Sequence, residues 1–189
     1  MRLLYFISIL CVSTLLVYCN RDSNKTSKLE QLEICLESKA ITSNQFNRRN
    51  KPLSELLAES RIDKYKINKS RFVQIDSLTF DLGQKIDYYL QIVGEKSKEA
   101  NNTNFYKATE KYLNTIKNLE SSISPFLRAI KDTIKGNEED LSIEVKEKAL
   151  KIGSATTEWE NAESKYLEEN GISQIVVDSI MESIRKRKN

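Results

Sequence analysis

Histidine is absent from the 189 residues, and glycine (5), proline (2), cysteine (3) and tryptophan (1) are scarce. Without histidine the chain lacks the usual general base at neutral pH, the commonest nitrogen ligand for metals, and the partner of every Ser-His or Cys-His nucleophile. Few glycines and prolines mean few helix breakers, which argues against a turn-rich β fold. Nor does one sign of charge dominate. The 30 basic and 27 acidic side chains leave +3, too little for a field that would draw in nucleic acid. Gly-rich phosphate loops, paired-Cys motifs and a nucleophile elbow are missing as well. No catalytic residue, metal ligand set or dissociable cofactor is therefore expected, and the chain reads as a non-enzyme.

What is present begins with an uncharged run. Met1-Arg2 carries one positive charge, Leu3 to Tyr18 follow as 16 residues without a charge, and Asn20-Arg21-Asp22-Ser23-Asn24-Lys25 is abruptly polar. This is the length of the apolar region of an export signal and short for a bilayer span. The run closes on Leu16-Val17-Tyr18-Cys19. It resembles a bacterial lipobox in the relaxed form found among spirochaete lipoproteins, with Leu16 three residues before Cys19. Tyr18 departs from the small residue usual before the cysteine. The resemblance implies that residues 1–18 are a signal peptide and that Cys19 becomes the N-terminus, carrying covalent diacylglycerol and a fatty acyl group. It also implies anchorage to a membrane of the cell envelope, the outer membrane or cell surface in preference to the inner membrane. The alternative is an uncleaved signal anchor with Cys19 an ordinary thiol. Either way the domain lies outside the cytosol, and no nucleic-acid partner is expected.

Residues 19–28 are polar and without period, as suits a flexible tether. The remainder, 29–189, is read as one domain. Leu29, Leu32 and Leu36 form a short apolar stripe with Cys35 beside it, expected as a small buried hydrophobe. The polar run Thr42 to Lys51 predicts a loop, and Pro52 suits the first position of a new helix bearing Leu53, Leu56 and Leu57. Three heptad seams follow. The first runs Phe72, Ile75, Thr79, Leu82, Ile86, Tyr89, Val93, and the second Phe105, Thr109, Tyr112, Ile116, Leu119, Ile123, Phe126, Ile130. The third runs Leu141, Val145, Lys148, Ile152, Ala155, Trp159, Ala162, Tyr166, ending at Asn170-Gly171. Ser173 is placed to cap a last helix with Ile175, Val176, Ile180 and Ile184. Steps of four and three residues keep one side of a helix facing its neighbours. The fold class expected is all-α: an elongated antiparallel helical bundle of three long helices with shorter N- and C-terminal helices.

Long bundles without a polar site work through their surfaces, so the function expected is the binding of a protein or polymer partner by a membrane-anchored domain. A carrier holding an apolar small molecule between helices is the alternative. Of the pairs Tyr88-Tyr89 and Phe105-Tyr106, only one member each can face a seam, which leaves Tyr88 and Tyr106 as candidate contacts. Arg48, Arg49 and Lys51 head a basic stretch that an acidic partner would meet. Trp159, between Ala155 and Ala162, is expected to fill the bundle axis.

Overall fold

A computed structural model describes the backbone of residues 2–62, 69–99, 104–132 and 138–187, and the side chains of 28–59, 70–99, 104–130 and 140–187. Among the described residues there are five helices and no strand: α1 (Arg2–Ile62), α2 (Lys69–Glu99), α3 (Asn104–Asp132), α4 (Glu138–Asn170) and α5 (Gln174–Lys186). The all-α bundle expected from the seams is the fold observed. Two compact units divide the chain, Met1–Ile34 and Cys35–Asn189. In the first, the backbone is helical from Arg2. Cys19 and the segment 19–28 lie outside the residues whose side chains are described, apart from Lys28.

The second unit holds the bundle. Arg71 of α2 pairs with Glu55 and Glu59 of α1 (3.4 and 2.9 Å), and Lys117 of α3 with Asp87 of α2 (2.7 Å). Trp159 of α4 bonds Thr109 of α3 (3.0 Å), whereas Glu144, earlier in α4, bonds Ser122, later in α3 (2.7 Å). Residue numbers rise on one helix as they fall on the next, so consecutive helices are antiparallel. α1 runs parallel to α3, with Ser43 at Tyr112 (2.7 Å) and Arg49 at Glu120.

The predicted loop Thr42 to Lys51 is not a loop. α1 passes through it and through Pro52 without interruption. Its inner face is Cys35, Ser38, Thr42, Arg49, Leu53 and Leu56, all buried. The spacing is that of a seam, but polar residues fill the middle of it. They remain helical because their hydroxyls bond the helix's own carbonyls, Ser38 to Cys35 O (3.0 Å) and Thr42 to Ser38 O (2.6 Å). Arg49 meets a carboxylate on α3. A hydrophobicity pattern cannot see such a seam.

The first two seams are buried as expected, except that Thr79 is only partly so. Around Ile123 lies an apolar cluster of Leu53, Leu56, Phe72, Ile75 and Leu119, against which Val145 and Ile152 of α4 pack partly buried. Each fully buried Leu, Ile or Phe there stabilises the fold by about 1.5–3 kcal/mol relative to exposure. α3 continues across Pro125 as one helix. Gly171 ends α4 with φ +60°, donating to Glu168 O (3.1 Å) while Ile172 donates to Leu167 O (2.9 Å). This pair of bonds closes a helix by a left-handed residue, for which glycine carries no steric penalty. Ser173 then has the extended backbone of an N-cap, but its hydroxyl caps nothing. α5 buries Val177 and Ile184 and leaves Ile175 80% exposed, so its inner face is rotated from the one predicted.

Candidate functional site

The residues proposed from sequence divide between surface and interior. Tyr88 is 56% exposed, its ring edge-on to buried Tyr89 at 5.0 Å between centroids. Arg48 and Lys51 are exposed on α1. Tyr106 and Arg49, by contrast, are 3% and 1% exposed and cannot meet a partner at the surface. Tyr106 sits on the inward side of α3 next to Phe105, because three neighbouring helices surround α3 and cover more than one face of it. Arg49 is drawn inside by Glu120. The surviving surface residues are not one site: α1 and α2 are antiparallel with Leu56 near the level of Phe72. Tyr88 therefore stands on the order of 12 Å along the axis from the level of Arg48, at 1.5 Å per residue. Further along the basic stretch, Arg71 is paired with Glu55 and Glu59.

Polar groups in the interior are held for structure. Burial pushes the Arg49 guanidinium down to about 10, still ionised at neutral pH, and Nη2 donates to Glu120 Oε1. Arg49 Nε and Glu120 Oε2 find no protein partner. At the other end, Trp159 is 1% exposed, donates from Nε1 to Thr109 Oγ1 (3.0 Å) and lies 5.2 Å from the Phe105 ring. It fills the bundle axis as expected. Lys39 Nζ stands 3.9 Å over the indole and pairs with Glu160 at 3.1 Å. Cys35 is fully buried, as expected of a small hydrophobe, and burial pushes its thiol up to about 12. At neutral pH it carries no thiolate and no nucleophile. Ser122 accepts from Lys148, but Lys148 is ion-paired with Glu144 (2.7 Å), and an ammonium has no lone pair with which to take the serine proton. Lys148 and Ser122, each donating to Glu144, hold its carboxyl below the usual range. Among the described residues no three His, Cys, Asp or Glu gather as a metal site, and no helix is long and apolar enough to cross a membrane.

Two surface features remain. On α2, Val73 (71% exposed), Phe80 (65%) and Tyr88 form an outward stripe at steps of seven and eight residues, with exposed Ser77 and Gln84 between them. Beside Phe80 a groove of about 440 Å³ opens between α2 and α3, floored by Phe72 and Leu127 and rimmed by Asp76 and Arg128. A second cleft, of about 390 Å³, has three walls: Leu36, Lys39 and Ser43 of α1, Trp159 and Glu163 of α4, and one face of α5. Burial holds the Glu163 carboxyl above the usual range; Lys39 opposes this and Glu160 adds to it.

Compared with known protein families, characterised proteins and solved structures, the chain matches none. Sequence reasoning named Tyr88 but missed Val73 and Phe80. Their seven-residue spacing was visible, running alongside the buried seam of the same helix. It missed Glu163 and Asp178 because nothing in the sequence says that α5 folds back beside α4.

Proposed function

We propose that this protein is an exported lipoprotein, anchored through an acylated Cys19, whose helical bundle binds a protein or polymer partner without catalysis. The observation that supports the binding role is the outward stripe of Val73, Phe80 and Tyr88 on α2, half or more exposed, beside a groove of about 440 Å³. Large apolar side chains exposed in a row at helical spacing are costly to leave in water, and aromatic residues beside a pocket are typical anchors of an interface. The anchor reading is supported by the uncharged run ending in Leu16-Val17-Tyr18-Cys19 before a polar segment.

Two measurements test the two halves. Cells fed a clickable fatty acid are expected to label the chain, and Cys19→Ser to abolish the label; label persisting in the variant overturns the anchor. A photoreactive residue placed at 80 is expected to yield a discrete adduct in intact cells, competed away when Val73 and Tyr88 are both replaced by Ser. No adduct at 80 alongside an adduct at exposed Leu150 of α4 would move the binding face off α2.

A further inference from the structure

The cleft between α1, α4 and α5 carries charges that the fold does not neutralise. On α5, Gln174, Asp178, Met181 and Arg185 follow at steps of four, three and four residues, so one side of the helix presents them to the cleft in a row. Asp178 accepts only from the neutral amide of Gln174 (3.1 Å), and Glu182, one turn before Arg185, is paired instead with Lys186 (2.7 Å). Neither Asp178 nor Arg185 forms an ion pair among the described residues, and neither does Glu163, although the charge of Lys39 reaches it. Lys39 itself is committed to Glu160 and to the face of Trp159. The cleft thus has a negative pole, Asp178, and a positive pole, Arg185, two turns apart on one side of α5, with Leu36, Val177 and Met181 among its apolar lining.

We propose that this cleft binds a short zwitterionic peptide, its free amine at Asp178, its free carboxylate at Arg185, and an aliphatic side chain on Met181. The length follows from the poles. Asp178 and Arg185 are two helical turns apart, about 10 Å along the axis. An extended chain covers about 3.3–3.6 Å per residue, so a peptide of two or three residues spans the gap where a single amino acid does not. The volume of about 390 Å³ sits at the small end of ligand pockets, which excludes a long peptide held whole. Arginine suits the carboxylate because its planar fork makes two parallel hydrogen bonds. This proposal is independent of the α2 stripe, which lies on another helix, and it survives the loss of that reading.

The test uses the full chain with trileucine as probe, followed by calorimetry and by the emission of Trp159, the only tryptophan and part of the cleft wall. One-site saturable binding is expected, with leucine alone, N-acetyl-trileucine and trileucine amide each weaker by about tenfold or more. Arg185→Gln is expected to weaken trileucine about tenfold and leave the amide's affinity unchanged. Asp178→Asn should weaken trileucine and spare the N-acetyl form. Arg185 and Asp178 are exposed, so the circular dichroism of their variants should match the parent, separating lost binding from lost fold. No saturable binding up to millimolar trileucine overturns the proposal. Equal affinity for blocked and free peptides also overturns it, because the poles would then play no part.

Discussion

The two ends of α4 are packed by different means. Toward its C-terminus Ala155, Trp159 and Tyr166 are buried, and the tryptophan is fixed by a hydrogen bond to Thr109 and by the Phe105 ring. Toward its N-terminus Leu141, Val145 and Ile152 are only partly buried, and Ile143 and Leu150 stand 48% and 78% exposed. There α3 buries its apolar face chiefly with α1 and α2, and α4 covers the cluster from outside. The first end couples apolar burial to directional bonds, which specify one register. The second packs apolar residues that are only partly buried, and its directional bonds join Ser122 to the partly exposed side chains of Glu144 and Lys148, an arrangement more tolerant of repacking. Between them lies Arg49–Glu120, a buried pair whose two unpartnered atoms leave part of its desolvation uncompensated.

The largest effect is expected at the well-specified end. Trp159→Ala should destabilise by about 5 kcal/mol, the top of the range for a buried aromatic, because the indole hydrogen bond is lost with the volume. Urea denaturation measures this, and native emission should be blue-shifted and poorly quenched by iodide. A red-shifted, freely quenched spectrum would mean that α4 does not dock by this end. Next comes the middle: Glu120→Ala leaves Arg49 buried without its carboxylate and should cost about 3–4 kcal/mol. Replacing both, Arg49→Met with Glu120→Leu, should return stability to the parental value or above it. A double variant as unstable as the single one would show that the pair is needed for more than charge balance.

Alkaline pH probes the same specified end through Cys35. Its thiol ionises near 9 when unfolded but is pushed up to about 12 in the fold. Between these values the folded state holds a proton that the unfolded state has lost, so stability is complete below about pH 9 and falls as pH rises toward 12. The slope expected from this group is about 1.4 kcal/mol per pH unit. Burial also pushes the Tyr112 and Tyr166 hydroxyls up, which adds loss in the same direction. Denaturation midpoints of parent and Cys35→Ala at pH 8 and pH 10.5 isolate the thiol's share, and equal pH slopes would contradict it. The smallest effect belongs to the loose end: Leu150→Ser, on an exposed side chain, should change stability by less than about 0.5 kcal/mol. A loss above 1 kcal/mol would show that this face of α4 is covered in solution.

Periodicity alone made the helices and three seams legible, because a step of four and three residues admits few other structures and the residues at those steps are apolar. Trp159 and Cys35 were readable as core for the same reason. The lipobox-like segment is a property of the sequence in itself, read from residue types and spacing without reference to a fold. Tertiary structure decided what the pattern could not encode. The seam of α1 through Thr42 and Arg49 exists because Glu120 lies across from it on another helix, and a polar residue is a core residue only when its partner is in place. Tyr106 is interior because three helices, and not one, surround α3. The cleft arises because α5 turns back beside α4 after Gly171, so that Asp178 and Arg185 line one cleft with Glu163 and Lys39, across a chain separation that no local spacing rule reaches.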